Sequence, residues 1–309
     1  MSEFDWIDRY LRPLAKSPGA DGLRNDVGVL RPAGSPLIAT LDTLVESIHF
    51  LSSDPLDTVG QKLLRVNISD ILCKGAVPRD ALLSIAMPEA FTEDQFAALC
   101  EGLSRDLDTW NIALIGGDTV RTTGPLSLSL TLTGTCLTES VIQRSGAREG
   151  DTLYVTGKIG RGGLGLRDAQ SGIESDHAAH YRVPDIPPLN IADLIAAFAT
   201  ASIDVSDGLI SDAGHIAQES EASIQIDLGQ IPFAETVRDA EHALEMATSG
   251  DDYQTLFTAP AYDQHRLHAT AKTLGLDVTA IGSVCAGECI KLSLNGADVP
   301  VPARTGYRH

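Results

Sequence analysis

The sequence predicts two α+β domains that meet near residue 140. Its 309 residues exceed the size at which a single hydrophobic core usually stops growing. Segments with strand-like periodicity alternate with helix-like segments along the whole chain. The polar, glycine-containing segment 138–150 (TESVIQRSGAREG) separates two such blocks. We therefore expect an N-terminal domain over residues 1–138 and a C-terminal domain over residues 139–309.

The N-terminal block alternates strands and helices. Apolar residues recur at every second position in segments 37–42, 81–87 and 126–132, which predicts three strands. An Asp-Pro pair and a later glycine predict a helix over 55–75. A second helix is predicted from Thr92, where Gln95 completes a capping-box pattern, to about Trp110.

The C-terminal block has the same mixed character. Its predicted strands cover residues 151–155, 203–205, 224–226 and 253–258. The strand at 203–205 leads into a predicted helix over 207–219. Both blocks therefore indicate α+β domains rather than an all-helical or all-strand fold.

Composition and charge exclude several classes of protein. A net charge of −19, from 23 basic and 42 acidic residues, lacks the basic footprint of a nucleic-acid or anionic-membrane surface. No stretch approaches the roughly 18 apolar residues of a membrane span. The acidic N-terminus lacks the pattern of an export signal, so we expect a cytoplasmic protein. The cysteines are odd in number and have no Cys-x-x-Cys spacing, which predicts neither a disulfide framework nor a zinc site.

The segment 160–165 (GRGGLG) satisfies the G-x-G-x-x-G pattern of dinucleotide-binding loops. Such a loop can surround a pyrophosphate at a helix N-terminus. However, it lies in the middle of the chain, and no acidic residue follows at the end of a second strand about 20 residues later. We expect a tight turn or a phosphate contact without a dinucleotide. The P-loop pattern G-x-x-x-x-G-K-[ST] is absent from the sequence.

Two motifs combine aspartates with a turn. Gly117 lets the backbone approach a ligand, and Asp118, at the end of a strand, can bind a metal ion that bridges phosphates. An ordinary turn is the alternative. Asp204 interrupts an apolar strand and needs a partner such as a cation. Ser206 and Asp207 follow at a helix N-terminus, where either residue could instead be a simple cap.

Two further segments carry candidate ligands. Asp42 ends a strand that looks buried, and the next segment brings His49 within reach, although a lone histidine is more often structural. Asn67, Asp70 and Lys74 have i, i+3, i+7 spacing, which predicts one helix face pointing into a cleft. An ordinary Asp70–Lys74 ion pair is the alternative.

Together these segments resemble the thiamine-monophosphate kinase family. This family belongs to the superfamily that includes aminoimidazole ribonucleotide synthetase and selenophosphate synthetase. The matching stretches occur in family order and are DTLVESIHF (42–50), VNISD (66–70), IGGDT (115–119), RSGA (144–147), IDVSDGL (203–209) and SGDDY (249–253). The first and the last of them point to this kinase in particular.

The resemblance implies a mixed-sheet N-terminal domain that forms a homodimeric barrel, followed by an α+β domain. It implies transfer of the ATP γ-phosphoryl group to thiamine monophosphate with several Mg²⁺ ions. Because the acceptor phosphate is already largely deprotonated at neutral pH, we expect direct in-line transfer without a general base. The implied metal ligands are Asp26, Thr40, Leu41, Asp42, Asp70, Asp118, Asp204 and Asp207, of which Asp118 and Asp207 would act in the transfer itself. Gly117, Asp118, Arg144 and Ser206 would contact ATP, and His49, Asp251 and Tyr307 would contact the acceptor.

Some positions depart from the family pattern. Asn25 replaces an aspartate, Leu41 a threonine and Asp251 a glutamate, Lys74 stands at a usually apolar position, and an expected tryptophan is missing near Tyr307. Two alternatives therefore stay open: a superfamily member with another acceptor, and a catalytically silent ligand-binding homologue. The many retained aspartates argue against the silent homologue, because a binding protein has little use for mutually repelling carboxylates.

Overall fold

The computed structural model describes residues 6–16, 34 and 36–307, and the chain divides into two compact units. The first unit comprises Met1–Ile71 and Val77–Glu139. The second comprises Leu72–Ala76 and Ser140–His309. Each unit combines helices with one mixed sheet, so the predicted α+β class is confirmed.

The first unit contains a four-stranded sheet and two long helices. A π-helical turn (Ile7–Leu11) and a 3₁₀ turn (Arg12–Leu14) precede β1 (Leu37–Val45), α1 (Leu56–Leu72), β2 (Ala76–Pro88), α2 (Glu93–Thr109), β3 (Ala113–Thr122) and β4 (Ser127–Cys136). The strand order is β1-β4-β2-β3, with β1 antiparallel to β4 and β2 parallel to β3. The predicted Thr92–Gln95 capping box opens α2.

This sheet has one covered face and one open face. In β2 the residues Leu83 and Ile85 are buried, whereas the alternating Leu82 is 40% exposed. On the covered face, α1 packs so closely on β4 that a Cβ at Gly134 would lie 2.5 Å from the Ile71 side chain. The two faces therefore offer very different environments to polar side chains.

The second unit contains a seven-stranded sheet flanked by shorter helices. Its elements are β5 (Asp151–Thr156), α3 (Arg161–Gln170), α4 (Asp176–Arg182), α5 (Ile191–Phe198), β6 (Ala201–Asp204), α6 (Leu209–Glu219), β7 (Ser223–Asp227), α7 (Ala240–Ala247), β8 (Thr255–Pro260), a 3₁₀ turn (Ala261–Asp263), α8 (Gln264–Leu274), β9 (Val278–Cys285), β10 (Ile290–Leu294) and β11 (Ala297–Val299). The strand order is β11-β10-β7-β9-β5-β8-β6, with β7 parallel to β10.

The segment that joins β6 to α6 differs from the prediction. The strand ends at Asp204 and the helix begins at Leu209, two residues later than expected. Gly208 between them has φ 132°, a conformation that continues neither element. The fully buried Val205 and Leu209 anchor the segment in the core of the unit. Of the helices in the described ranges, none combines the length and apolar character that crossing a bilayer requires.

Candidate active site

Asp42 and Asp70 form a carboxylate pair in the first unit. Asp42 is hydrogen-bonded to the side chain of Asp70, which also accepts a hydrogen bond from Thr40 Oγ1 at 2.5 Å. Burial, and then the negative charge of Asp70, raise the pKa of Asp42 to about 7. Two carboxylates this close require a shared proton or a cation between them.

The donors around this pair suit a magnesium ion. Thr40 and Asp42 project from the same side of β1, and Asp70 comes from the last turn of α1. All of their donor atoms are oxygens, the ligands that Mg²⁺ prefers. Leu41 projects from the opposite side and is 61% exposed, so only its carbonyl group remains as a donor. The expectation that Asp42 ends a buried strand is wrong, because β1 continues to Val45 and alternate residues are exposed.

Asp118 lies on the other face of this sheet. It was expected at a strand end, but it lies within β3, exposed and in register with Ser84. The exposed Val120 shares this face, whereas Asp42 and Asp70 lie on the covered face. A Cβ at Gly117 would lie 1.9 Å from the Leu83 carbonyl oxygen, so strand packing is sufficient to require that glycine.

His49 is oriented by its own turn. Its Nδ1 accepts a hydrogen bond from the Val45 N–H at 3.0 Å, which leaves the proton of the neutral ring on Nε2. Lys62, only 2% exposed, donates from Nζ to the His49 carbonyl oxygen at 3.1 Å. Sequence reasoning missed Lys62, because nothing in the sequence distinguishes one buried lysine from an exposed one.

The prediction that Asn67, Asp70 and Lys74 share one helix face is wrong. Asn67 is fully buried, and its Nδ2 donates to the Leu63 carbonyl oxygen at 2.9 Å. The helix ends at Leu72, and Lys74 beyond it donates to the Ser202 carbonyl oxygen. Of these three residues, Asp70 is the one that pairs with Asp42.

Asp212 organises the β6–α6 segment of the second unit, and sequence reasoning missed it. Its carboxylate accepts hydrogen bonds from the backbone N–H groups of Gly208, at 3.1 Å, and of Ser206 and Asp207. Burial and the neighbouring charge of Asp207 raise the pKa of Asp212 to about 7, against the opposing effect of these N–H groups. The available signal was an aspartate near the start of a predicted helix, four residues after a glycine.

Acidic and basic side chains cluster at the same helix end. One ligand atom from each of Asp207, Asp212 and His215 lies within 4.8 Å of the others. Asp204, at the end of β6, is 3% exposed. Because most of these ligand atoms are carboxylate oxygens, this cluster also suits a hard cation.

The remaining predicted residues of the second unit lie around this segment. The backbone N–H of Asp251 donates to the Ser206 carbonyl oxygen at 2.9 Å, and that of Tyr307 donates to the Asp207 carbonyl oxygen at 2.9 Å. Arg144 is exposed, and its carbonyl oxygen accepts a hydrogen bond from Ser220 Oγ at 3.4 Å. Ser206, Asp207, Asp251 and Tyr307 are therefore brought together by backbone contacts.

The glycine-rich segment 160–165 opens α3, but its N–H groups are already used. Asp252 Oδ2 accepts from the Gly160 N–H at 2.7 Å, and Oδ1 accepts from the Gly162 N–H at 3.0 Å. The carboxylate is fully buried, and burial raises the pKa of Asp252 to about 7. A side chain of the protein itself therefore occupies the place where a phosphate would bind, which favours the tight-turn alternative.

Asp26 and Asn25 lie outside the described residues. The metal ligand predicted at Asp26 therefore stays a prediction. The described parts of the predicted site fall into two groups. In the first unit these are Thr40, Leu41, Asp42, His49, Asp70, Gly117 and Asp118, and in the second unit Arg144, Asp204, Ser206, Asp207, Asp251 and Tyr307.

Comparison with known proteins gives matches along almost the whole chain. The family model of the AIR synthase related protein, N-terminal domain, matches residues 24–136, and that of the C-terminal domain matches residues 148–295. The thiamine-monophosphate kinase of Caulobacter vibrioides is 36% identical, over 100% of this chain and 91% of the relative.

Solved structures agree with these matches. The crystal structure of thiamine-monophosphate kinase from Stenotrophomonas maltophilia K279a has 33% identity and a TM-score of 0.84, covering 97% of this chain and 98% of that one. The structure of AaThiL complexed with AMPPCP and TMP has 28% identity and a TM-score of 0.73, covering 99% of this chain and 97% of that one. The similarity thus extends over both units.

Proposed function

This chain belongs to the thiamine-monophosphate kinase family, and from that premise we propose that it transfers the γ-phosphoryl group of ATP to thiamine monophosphate. The products are thiamine diphosphate and ADP. The observation that carries the proposal is the family match over the whole chain, together with the paired carboxylates of Asp42 and Asp70, whose mutual repulsion a cation would relieve. A solved relative that holds AMPPCP, an ATP analogue, together with TMP supports the same pair of substrates.

The chemistry of the acceptor explains the absence of an assigned general base. A phosphate monoester has a second pKa near 6, so its oxygens are largely deprotonated at neutral pH. The attacking oxygen carries no proton that a side chain must remove. The barrier comes instead from the repulsion between two polyanions and from the charge of a loose transition state. Direct in-line transfer without a phosphoenzyme follows from this reasoning.

We assign the metal-binding role to the clustered carboxylates. Asp42 and Asp70 with Thr40 would hold Mg²⁺ in the first unit, and Asp204 and Asp207 in the second. Bound Mg²⁺ supplies positive charge that screens the phosphate oxygens. The carboxylates would hold this ion in place. Asp26 and the Leu41 carbonyl group complete the proposed ligands around Asp42, and Asp118, on the opposite face of the sheet, would bind a separate Mg²⁺ ion.

The remaining residues are assigned to the two substrates. Gly117, Asp118, Arg144 and Ser206 would contact ATP. His49, Asp251 and Tyr307 would contact thiamine monophosphate. The His49 Nε2–H suits an acceptor phosphate oxygen, because Nδ1 is already engaged by the Val45 N–H. We place the protein in the cytoplasm, where its proposed co-substrate ATP is present.

The open face of the four-stranded sheet supports a homodimer. Leu41, Leu82 and Val120 are 61%, 40% and 44% exposed on this face, an apolar surface that a second copy would cover. Pairing of two such sheets would form the barrel that the family resemblance implies. Sedimentation should give twice the mass of one chain, and Val120→Asp should give a monomer. A wild-type monomer at micromolar concentration would contradict the dimer.

An assay with ATP, Mg²⁺ and thiamine monophosphate tests the proposed function. Thiamine diphosphate should form in step with ADP, and removal of Mg²⁺ by a chelator should stop its formation. A folded protein that binds ATP but forms no thiamine diphosphate would refute the kinase. Formation of ADP with a different phosphate acceptor would instead support the superfamily alternative.

A further inference from the structure

The glycine-rich start of α3 and the loop Ser249–Tyr253 interlock, although they lie far apart in the sequence. Asp252 on this loop is fully buried, and its two carboxylate oxygens accept hydrogen bonds from the N–H groups of Gly160 and Gly162. Both oxygens are thus engaged by the same helix N-terminus, where the positive end of the helix dipole lies. This contact fixes the loop in both position and direction.

The backbones at this junction approach too closely for side chains. A Cβ at Gly162 would lie 2.3 Å from the Gly250 carbonyl oxygen, and a Cβ at Gly163 would lie 2.4 Å from Ser249 Oγ. The glycines that resembled a dinucleotide-binding pattern therefore have a different use. They allow the loop to rest directly on the helix.

The loop adopts a conformation that needs such support. Asp251 has φ 66° and Tyr253 has φ 50°, both in the left-handed region that side chains disfavour. On the other side of the loop, the backbone N–H groups of these two residues donate to Ser206 and Val205 at 2.9 and 2.8 Å. Tyr253 Oη donates to Asp251 Oδ1 at 3.0 Å, which orients that carboxylate.

We propose that Asp252 is a positioning residue that holds Asp251 at a fixed place beside the Ser206 backbone. This inference rests on the proposed function, in which Asp251 contacts thiamine monophosphate and Ser206 contacts ATP. The loop Ser249–Tyr253 contacts the N-terminus of α3 on one side and the residues that follow β6 on the other. Asp252 thereby sets the distance between the acceptor side and the nucleotide side of the second unit.

Asp252→Asn tests the inference, because it preserves shape but replaces one acceptor oxygen with an NH₂ group that opposes a backbone N–H. We expect the KM for thiamine monophosphate to rise, or kcat at saturating ATP to fall, by about 10-fold or more. The KM for ATP should stay within about twofold, since the Ser206 N–H is held independently by the buried Asp212 carboxylate.

Asp106→Asn is the matched control. Asp106 is 1% exposed and accepts hydrogen bonds from Arg65 and Gln61, in the first unit and outside the proposed site. The Asp106→Asn substitution should lower the melting temperature, while the KM values for ATP and for thiamine monophosphate stay unchanged. If Asp252→Asn likewise lowers only the melting temperature, the inference is overturned.

A second variant covers the case in which Asp252→Asn does not fold. In Gly163→Ala the added Cβ would lie 2.5 Å from Ser249 Cβ, which no side-chain rotation moves away, so the loop should shift while the fold persists. The KM for thiamine monophosphate should again rise, and an unchanged value overturns the inference. A folded wild-type protein without turnover would instead refute the proposed function, and this inference with it.

Discussion

The carboxylates of the two units are held in opposite ways. In the first unit, Asp42 and Asp70 face each other, with the Thr40 hydroxyl as the neutral donor beside them. In the second unit, Asp212 and Asp252 face backbone N–H groups at the N-termini of α6 and α3. The first arrangement brings like charges together, whereas the second joins negative charge to the positive end of a helix.

This difference separates ligand carboxylates from structural carboxylates. A buried carboxylate that accepts backbone N–H bonds with both oxygens, as Asp252 does, already has much of its hydrogen-bonding capacity used by the protein. A carboxylate whose neighbour is another carboxylate does not, and a divalent cation relieves its repulsion. Asp42 and Asp70 are therefore the stronger candidates for metal binding, and Asp252 is the stronger candidate for a structural role.

Asp42→Asn should have the largest effect on turnover. Without one negative charge, the pair loses affinity for a cation, and we expect turnover to fall at least ~100-fold at moderate Mg²⁺ concentration. Steady-state assays over a range of Mg²⁺ concentrations measure this fall in turnover. Asp227→Asn is the control, because Asp227 accepts a hydrogen bond from the Gly229 N–H at 2.9 Å in a turn. Equal turnover in the two variants would remove Asp42 from the metal site.

Most of the fold could be predicted from the sequence, because it follows local rules. Period-two apolar patterns located β1, β2 and β4, and the Thr92–Gln95 capping box placed the start of α2. The β6–α6 segment was placed two residues early, since the conformation of Gly208 depends on its surroundings. Periodicity cannot report a backbone turn of this kind.

The contacts between distant residues could not be predicted. Asp252 looked like part of an acidic turn, and Gly160 and Gly162 looked like a phosphate loop, yet 90 residues separate Gly162 from Asp252. Likewise Asn67 and Lys74 share helical spacing with Asp70, but the helix ends at Leu72 and Asn67 turns into the core. Sequence spacing gives the candidates, and only tertiary structure shows which of their atoms are already bonded.

Gly162→Ala should test how strongly the second unit depends on its helix contact. The added Cβ would meet the Gly250 carbonyl oxygen, and separating the two backbones should cost about 3 kcal/mol of unfolding free energy. Denaturant titration measures this change. In Gly214→Ala, within α6, nothing lies within 4 Å of the added Cβ, so stability should rise by about 0.5–1 kcal/mol. Similar values for both variants would contradict close packing at the junction.

A smaller effect is expected in the pH dependence of stability. It should differ between the wild type, which has the Asp42–Asp70 pair, and Asp42→Asn, which lacks it. The pKa of Asp42 is about 7 in the folded protein, against 3.8 for an unperturbed aspartate, so the folded state binds the proton more tightly. The stabilisation from this proton is complete below the unfolded pKa and is lost as pH rises through the folded pKa. Without metal, the wild type should therefore lose about 2–3 kcal/mol relative to Asp42→Asn between about pH 5 and pH 8.

Magnesium should reduce that loss in the wild type, because a cation between Asp42 and Asp70 replaces the proton and favours both ionised carboxylates. The Asp42→Asn variant should show a weaker response to Mg²⁺ over the same range. Asp212 and Asp252, whose pKa values are also raised to about 7, contribute equally to both proteins and cancel in the comparison. Parallel stability curves for wild type and variant, with and without Mg²⁺, would show that the pair neither shares a proton nor binds the ion.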